Sequence, residues 1–423
     1  MSRLIQVFEH ERLTLGSGGS ERSISRRELD QLYTFNDRNE NRYFTGIRDG
    51  VKFSSYVGVI QIGTLTIEIL PKPDRKASGS KADYQRWHGV LLDMLQVCNK
   101  VAIHSISESN LRRRQHSILD TYLAMFLDEV EALLRRGLAK KYRRDQGSTL
   151  SLKGQILFAQ HIRDNLIHQE RFYTRHQVYD KDHLANQIIR ESLLVLKDLV
   201  GQGELSNRAS ELLEIFPQVS RKTIRSADFD RIGQSRGLRG YEKALSISKM
   251  ILLNYSPSIR TGSEQMLALL FDMNLLWEEY IYHMLKRGKH PNWAVLPQQR
   301  KKFWNTKVIK PDLVVQKKDG DRTSTFVIDT KWKVLDSAYP KPSDDDLKQM
   351  FVYNEYWSSS QSMLLYPTTE PRSEVLGHFW SQDALDKVHS CKLSFVSVLN
   401  EKGRLNLDIG PSIIDKLEAS LEL

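Results

Sequence analysis

Cysteine is almost absent from this chain of 423 residues. Only Cys98 and Cys391 occur, which excludes a disulfide scaffold and, without a paired C-x-x-C, a structural zinc site. Both are expected to be reduced, semi-buried thiols. The histidines form no H-E-x-x-H and no pair at ligand spacing, so a zinc hydrolase has no support. His161, His168 and His176 read as surface or packing residues. No G-x-x-x-x-G-K-[ST] occurs, and Gly16-Ser17-Gly18-Gly19-Ser20 lacks the lysine and the strand-to-helix setting of a phosphate loop. Any nucleotide hydrolysis tied to this chain must therefore come from a partner. Long uninterrupted apolar runs are missing, as is an amphipathic terminus, and the stretch Met1 to His10 becomes charged before a signal segment could form. The expectation is a soluble cytoplasmic protein with no membrane partner.

What is abundant is positive charge. Sixty-two Lys and Arg face 52 Asp and Glu, for a net charge of +10 and a pI near 9.3. Such a balance suits a polyanion, because neutralising phosphates with cations releases condensed counterions, although it does not prove one. The length calls for two or three domains.

Residues 1 to about 74 read as β-rich. Val57 to Lys72 holds two apolar strands about a Gly63-Thr64 turn, closed by Pro71. Arg75 to Lys81 is small and polar, a flexible loop or linker, and from Tyr84 the pattern turns helical. The middle is mainly helical, with Ile118 to Leu138 strongly periodic. The clusters Arg112-Arg113-Arg114 and Lys140-Lys141-Tyr142-Arg143-Arg144 can grip phosphate or an acidic partner, or simply solvate a helix flank. The basic stretch from Arg221 through Arg225, Arg231, Arg236 and Arg239 reads as a loop whose partner, DNA or protein, stays open.

The chemistry concentrates in Lys310-Pro311-Asp312-Leu313-Val314-Val315 and Phe326-Val327-Ile328-Asp329-Thr330-Lys331-Trp332-Lys333. Val308 to Val315 and Thr325 to Val334 read as strands of a hairpin around Lys317 to Arg322. That places Asp312 and Asp329 side by side, with Lys331 on the same face as Asp329 because strand side chains alternate, and Thr330 facing away. Mg²⁺ prefers oxygen ligands in octahedral geometry and keeps several waters, so one or two carboxylates plus a substrate phosphate suffice; Mn²⁺ is an alternative. Two carboxylates and an ammonium suit metal-assisted phosphodiester cleavage. So short a pattern also arises by chance at solvated strand ends. Upstream, Met266 to Lys286 is expected to be one helix packing on the sheet, carrying Glu278 as a candidate third acid beside a solvated Glu279. Downstream, Ser343-Asp344-Asp345-Asp346 reads as a helix N-cap with acids at the positive end of the dipole. The helix that follows carries Gln349 and Tyr353 on one face.

Together these residues resemble the PD-(D/E)xK nuclease superfamily, with Pro311-Asp312 and Asp329-Thr330-Lys331 as its core and Gln349 to Tyr353 similar to the Q-x-x-x-Y element of RecB-like members. The resemblance implies that Gln349 and Tyr353 lie near the DNA and the metal. Ordinary aromatic packing accounts for Tyr353 equally well. Leu152-Lys153-Gly154-Gln155-Ile156 and His183 to Arg190, which precede the nuclease signature in that order, together with Val59 to Gly63 and Glu68 to Lys72 nearer the N-terminus, sharpen the resemblance to McrC of the McrBC modification-dependent restriction systems.

That resemblance implies a nuclease subunit active in phage defence and a separate McrB-type AAA+ GTPase hexamer whose GTP hydrolysis it stimulates. It also implies double-stranded DNA bearing methylated cytosine as substrate. The expected fold is α+β and multidomain: a β-rich partner-binding domain over residues 1–105 with a flexible loop about 75–83, a helical middle over 106–265, and a restriction-endonuclease-like α/β domain over 266–423. Asp312, Asp329 and Glu278 are the expected metal ligands, with Lys331, Gln349 and Tyr353 completing the site. The hairpin around Gly63 is the candidate pore-directed element. Two other readings remain: a freestanding RecB-like repair nuclease, and a non-catalytic DNA-binding activator of an NTPase.

Overall fold

The computed structural model describes residues 3–16, 23–72, 80–100, 117–200, 203–233, 238, 240–256, 266–288, 290–333, 335, 340–380 and 389–419. The chain divides into two compact units, one of Met1–Ile60, Leu65–Ile103 and Leu270–Leu423, the other of Gln61–Thr64 and His104–Leu269. The architecture is mixed α+β. No described helix is long and apolar enough to cross a membrane.

The first unit opens with β1 (Arg3–Phe8), β2 (Arg12–Thr14), α1 (Arg26–Arg38), β3 (Phe44–Ile47), β4 (Gly50–Phe53), β5 (Tyr56–Ile62), β6 (Leu65–Leu70) and α2 (Lys81–Val97). β1 runs parallel to β6 with Ile5 level with Ile67, and β2, β4 and β3 form a small antiparallel sheet. β5 and β6 join at Gly63, whose φ of +52° is cheap for glycine. The β-rich reading of this region missed α1. That helix begins in a capping box between Ser25 and Glu28 and buries Leu29, Leu32 and Phe35, an i, i+3, i+6 stripe too sparse to stand out in a polar segment. Of the expected loop at 75–83, residues 75–79 lie outside the described residues, whereas Ser80 accepts from the Asp83 N–H and caps α2, so Lys81 to Asp83 are helical.

The second unit holds α3 (Ile118–Arg136), β7 (Lys141–Thr149), β8 (Gln155–Ile156), α4 (Phe158–Asn165), β9 (Phe172–Asp180), α5 (Leu184–Leu199), α6 (Glu204–Ile215), α7 (Ser226–Gly233), α8 (Glu242–Asn254) and β10 (Tyr255–Ser256). β11 (Met266–Asp272) follows and pairs antiparallel with β10. α3 starts at a Ser117–Asp120 capping box and packs against α6 and α8. Arg112 to Arg114, Arg236 and Arg239 lie outside the described residues. The helical reading omitted the antiparallel sheet β7-β9-β8, and Lys141 to Arg144 prove to be its first strand.

Two motif residues have structural reasons in this unit. Gly154 has φ +68°, and a Cβ there would stand 2.4 Å from the Arg175 carbonyl oxygen, so only glycine fits. Asn186, fully buried, donates through Nδ2 to the Ala139 and Lys181 carbonyls at 2.9 and 2.8 Å and accepts from Tyr241 Oη at 2.8 Å. It closes a loop that would otherwise leave buried carbonyls unpaired.

The first unit resumes with α9 (Met273–Arg287), β12 (Trp293–Pro297), β13 (Lys301–Trp304), β14 (Lys307–Ile309), β15 (Leu313–Asp319), β16 (Arg322–Thr330), α10 (Asp344–Trp357), β17 (Gln361–Thr368), β18 (Val375–His378), β19 (Ser390–Ser397) and α11 (Ile409–Glu418). The expected single helix from Met266 is instead strand β11 followed by α9. The Asp272 carboxylate accepts from the Asn274 N–H at 2.9 Å and caps the helix there. The continuous apolar run before it has no periodicity that separates a buried strand from a helix.

Six strands form one mixed sheet in the order β12-β15-β16-β17-β19-β18. β12, β15 and β16 are antiparallel neighbours, whereas β16, β17 and β19 run parallel, with α10 as the crossover from β16 to β17. Between α10 and the sheet lies a core of Val314, Val327, Met350, Tyr353, Trp357, Leu364, Tyr366 and Phe395. Behind it α9 meets α11 so closely that a Cβ on Gly410 would fall 2.4 Å from the Met284 carbonyl oxygen. Gly410→Ala is therefore expected to destabilise the protein by about 1–3 kcal/mol through overpacking, read as a lower urea midpoint.

Candidate functional site

The candidate site stands at the end of the β15–β16 hairpin, which turns through Gly320 at φ +59°. The register pairs Leu313 with Ile328, so Asp312 and Asp329 are level one step further on. Opposed residues of an antiparallel pair sit about 5 Å apart at Cβ, close enough for each charge to act on the other. Asp329 is 2% exposed. Asp312 Oδ2 accepts from the Thr330 N–H at 2.7 Å and from the Thr330 hydroxyl at 2.9 Å. Thr330, expected to face away, thus belongs to the site, because β16 ends there and strand alternation ends with it.

Lys331 Nζ lies 2.5 Å from Asp329 Oδ2, 3.4 Å from Asp346 Oδ1 and 3.4 Å from Gln349 Oε1. The Asp329 contact is a close, buried ion pair, and the ammonium helps to hold the carboxylate against its burial. Burial alone would lower the lysine's pKa, but Asp329, Asp346 and Asp312 outweigh it and raise it, so the group is an ammonium at neutral pH. Burial raises the pKa of both Asp312 and Asp329, and for Asp329 the neighbouring Asp312 charge adds to it; the two titrate as a pair.

Glu278, 8% exposed on α9, accepts from Gln298 Nε2 at 2.7 Å. Burial, then repulsion from Asp312, pushes it up to about 7. Gln298 also donates its backbone N–H to the Asp312 carbonyl at 2.9 Å, tying the glutamate's helix to the aspartate's strand. Glu279 is a half-exposed helix charge paired with Lys100 at 3.0 Å.

On α10, Ser343 caps the helix as expected, accepting from the Asp346 N–H at 3.2 Å. Gln349 Nε2 donates to Tyr353 Oη at 2.8 Å, and Tyr353 Oη donates to the Lys310 carbonyl at 2.9 Å. This pair braces the segment leading into Asp312 from one side and touches the Lys331 ammonium on the other.

Four contributors escaped the sequence reading. Asp346, read only as a helix-dipole acid, bridges Lys331 and Lys333. Gln298 and Thr330 carry no motif signal. Trp332, beside Lys331, donates Nε1–H at 2.6 Å to the buried Glu9 of β1 and packs on Trp277 at 5.3 Å between ring centroids. Only the fold brings Glu9 to it.

The donor set is carboxylate oxygen alone, the chemistry of hard cations such as Mg²⁺ or Mn²⁺. Among the described residues no three of His, Cys, Asp and Glu converge as a ready cage. Asp312 and Asp329 are the two carboxylates that could share such a cation, with waters and substrate as its other ligands.

The class so defined is a mixed α+β protein with a buried acidic site beside one ammonium, at the end of a strand hairpin. The chain belongs to the McrBC family, described as McrBC 5-methylcytosine restriction system component, whose model matches residues 51–367. The McrC resemblance of the motifs is thereby borne out. A curated relative, the type IV methyl-directed restriction enzyme EcoKMcrBC of Escherichia coli (strain K12), is 25% identical over 194 residues, 44% of this chain and 55% of that protein. The match thus spans about half that relative's length. In the refined half-complex from a tetradecameric assembly of Thermococcus gammatolerans McrB AAA+ hexamers with bound McrC, one chain superposes with a TM-score of 0.69 at 19% identity, covering 97% of this chain and 99% of that one. A chain of the T. gammatolerans McrBC complex gives a TM-score of 0.50 at 17% identity over 67% and 87%. At such identities the likeness establishes the fold.

Proposed function

We propose that this chain is the endonuclease subunit of a GTP-dependent McrBC-type restriction complex, cutting double-stranded DNA that contains methylated cytosine. The observation that carries the proposal is Asp312, one step beyond the Leu313–Ile328 pair and bonded to Thr330, standing beside Asp329, with Lys331 held between Asp329, Asp346 and Gln349. The sheet and this constellation support a PD-(D/E)xK domain over residues 266–423. Asp312 and Asp329, with Glu278 adjacent, would hold Mg²⁺ or Mn²⁺, which when bound polarises the phosphoryl oxygen and acidifies a water. Lys331, kept cationic by its carboxylate neighbours, orients the attacking water and offsets charge on the phosphorane-like transition state. Gln349 and Tyr353 keep Asp312 and Lys331 in register. Residues 1–105 bind an AAA+ GTPase hexamer and raise its GTP turnover, with the Gly63 hairpin directed at its pore, and 106–265 form a mainly helical middle that also holds the β7-β9-β8 sheet. The cytoplasm is the expected compartment.

The test mixes the full chain with the AAA+ GTPase from its own genome, methylated or unmethylated duplex, GTP and Mg²⁺. Cleavage is expected only when all components are present and the duplex is methylated. Cleavage by the chain alone would support the freestanding repair nuclease. GTPase stimulation with no cleavage under any condition would leave only the non-catalytic activator.

A further inference from the structure

One surface beside the site has no role in the reading above. From Arg300 to Lys310 the chain runs Arg-Lys-Lys-Phe-Trp-Asn-Thr-Lys-Val-Ile-Lys, with five cations and no acid. Strands β13 and β14 pair Lys301 with Ile309, Lys302 with Val308 and Trp304 with Lys307, turning at Asn305, whose φ is +45°. This two-stranded sheet joins no other among the described residues. Isolated hairpins are marginal in water, so one face must be held. It is. Lys301 Nζ donates to the Tyr356 carbonyl and lies over the Trp357 ring at 5.0 Å, Phe303 meets Tyr356 at 5.7 Å, and Ile309 packs on the sheet core.

The opposite face is open. Lys302 and Val308 alternate away from α10, with Val308 54% exposed, and the tip shows Trp304 at 65%. Arg300, Lys302 and Lys307 have no carboxylate within ion-pair reach among the described residues. The exposed Trp304 stands opposite Lys307 and two residues from Lys302, an apolar surface beside solvated cations that suits an anion with an apolar groove. The hairpin also leads straight into the site: after Ile309 come Lys310, Pro311 and Asp312. At about 3.3 Å per residue, Lys307 lies within about 17 Å of chain from Asp312, roughly half a turn of duplex.

We propose that residues 300–310 seat duplex DNA at the site, Arg300, Lys302 and Lys307 gripping phosphates that flank the one to be cut and Trp304 packing against the duplex between them. The inference rests on the nuclease reading. Charge complementarity and continuity with Asp312 choose DNA over an acidic protein surface. Phosphate contacts position without reading sequence, so this element carries no methyl specificity.

The experiment measures fluorescence anisotropy of a short labelled methylated duplex with the full chain in Ca²⁺, across a salt series. Lys302→Glu with Lys307→Glu is expected to reduce the slope of log K against log salt by about 1.8, two phosphate contacts at about 0.9 each. Trp304→Ala is expected to weaken binding about tenfold with the slope unchanged. These residues are exposed, and an unchanged urea midpoint confirms that the variants fold. Binding and slope unaltered in the charge variant, or loss of association with the GTPase instead of DNA, would overturn the hairpin's role while wild-type cleavage kept the nuclease reading. Conversely, weakened binding beside undiminished cleavage by Asp329→Asn would leave the hairpin standing and remove the catalytic assignment. A wild-type chain that neither binds nor cuts would reject both.

Discussion

Asparagine in place of Asp329 is expected to lower the rate of DNA cleavage on the order of 10³-fold or more while leaving the fold and the stimulation of the GTPase intact. The residue is almost wholly buried, stands level with Asp312, and is paired with the Lys331 ammonium at 2.5 Å. Asparagine keeps the shape and removes the negative charge that would draw a divalent cation. Stability is expected not to fall, because burial and the charge of Asp312 already disfavour the ionised carboxylate, and a neutral isostere relieves that penalty. Lys331 keeps Asp346 at 3.4 Å as its counter-charge. Lys331→Met removes an electrostatic contributor rather than a ligand, so a smaller loss of roughly 10²–10³-fold is expected. The readouts are a gel cleavage assay, GTP turnover by the partner, and the urea midpoint. Wild-type cutting by Asp329→Asn would sink the site assignment.

Glu9 is expected to make folding stability fall as the pH rises from mildly acidic to mildly alkaline. Its carboxylate is 1% exposed and accepts at 2.7 Å from the Lys72 N–H and at 2.6 Å from Trp332 Nε1. Burial dominates those bonds, and together with the charge of Asp272 it raises the group from an ordinary 4.5 to about 7. A carboxyl raised in the folded state binds its proton more tightly there than in the unfolded chain. Its contribution is therefore complete below about 4.5 and is lost as the pH climbs through about 7. The gap corresponds to roughly 3 kcal/mol. Glu9→Gln keeps a carbonyl acceptor and cannot ionise, so its stability is expected to exceed wild type above about pH 7 and to lose this pH dependence. Urea denaturation of both proteins across that range measures it. Parallel curves would show that Glu9 is not the buried titrating group proposed.

The chemistry was legible because it is written in short segments. Asp312, Asp329 and Lys331 sit at strand ends defined by β-branched runs, and the pairing of β15 with β16 brings them together without help from distant chain, Lys331 lying one residue past the end of β16. Gln349 and Tyr353, four apart on one helix, meet for the same local reason, and the Ser343 cap follows from its own backbone. Errors arose where local pattern is degenerate. Met266 to Asp272 is apolar throughout, so periodicity could not tell a buried strand from a helix, and the capping role of Asp272 decided it. α1 was hidden by its polarity, and β7 to β9 by strands whose half-exposed faces carry charge.

The amino-acid order alone determined which charged groups converge on the candidate site, their spacing along the chain and the family, since each depends on neighbours a few residues away. Tertiary structure alone decided that the N-terminal strands and the C-terminal sheet share one compact unit, with Glu9 bonded to Trp332 and Gln298 to Glu278. Those contacts join residues far apart in the chain, and burial, which exists only once the chain has closed on itself, is what turns ordinary carboxylates into groups that titrate near neutrality.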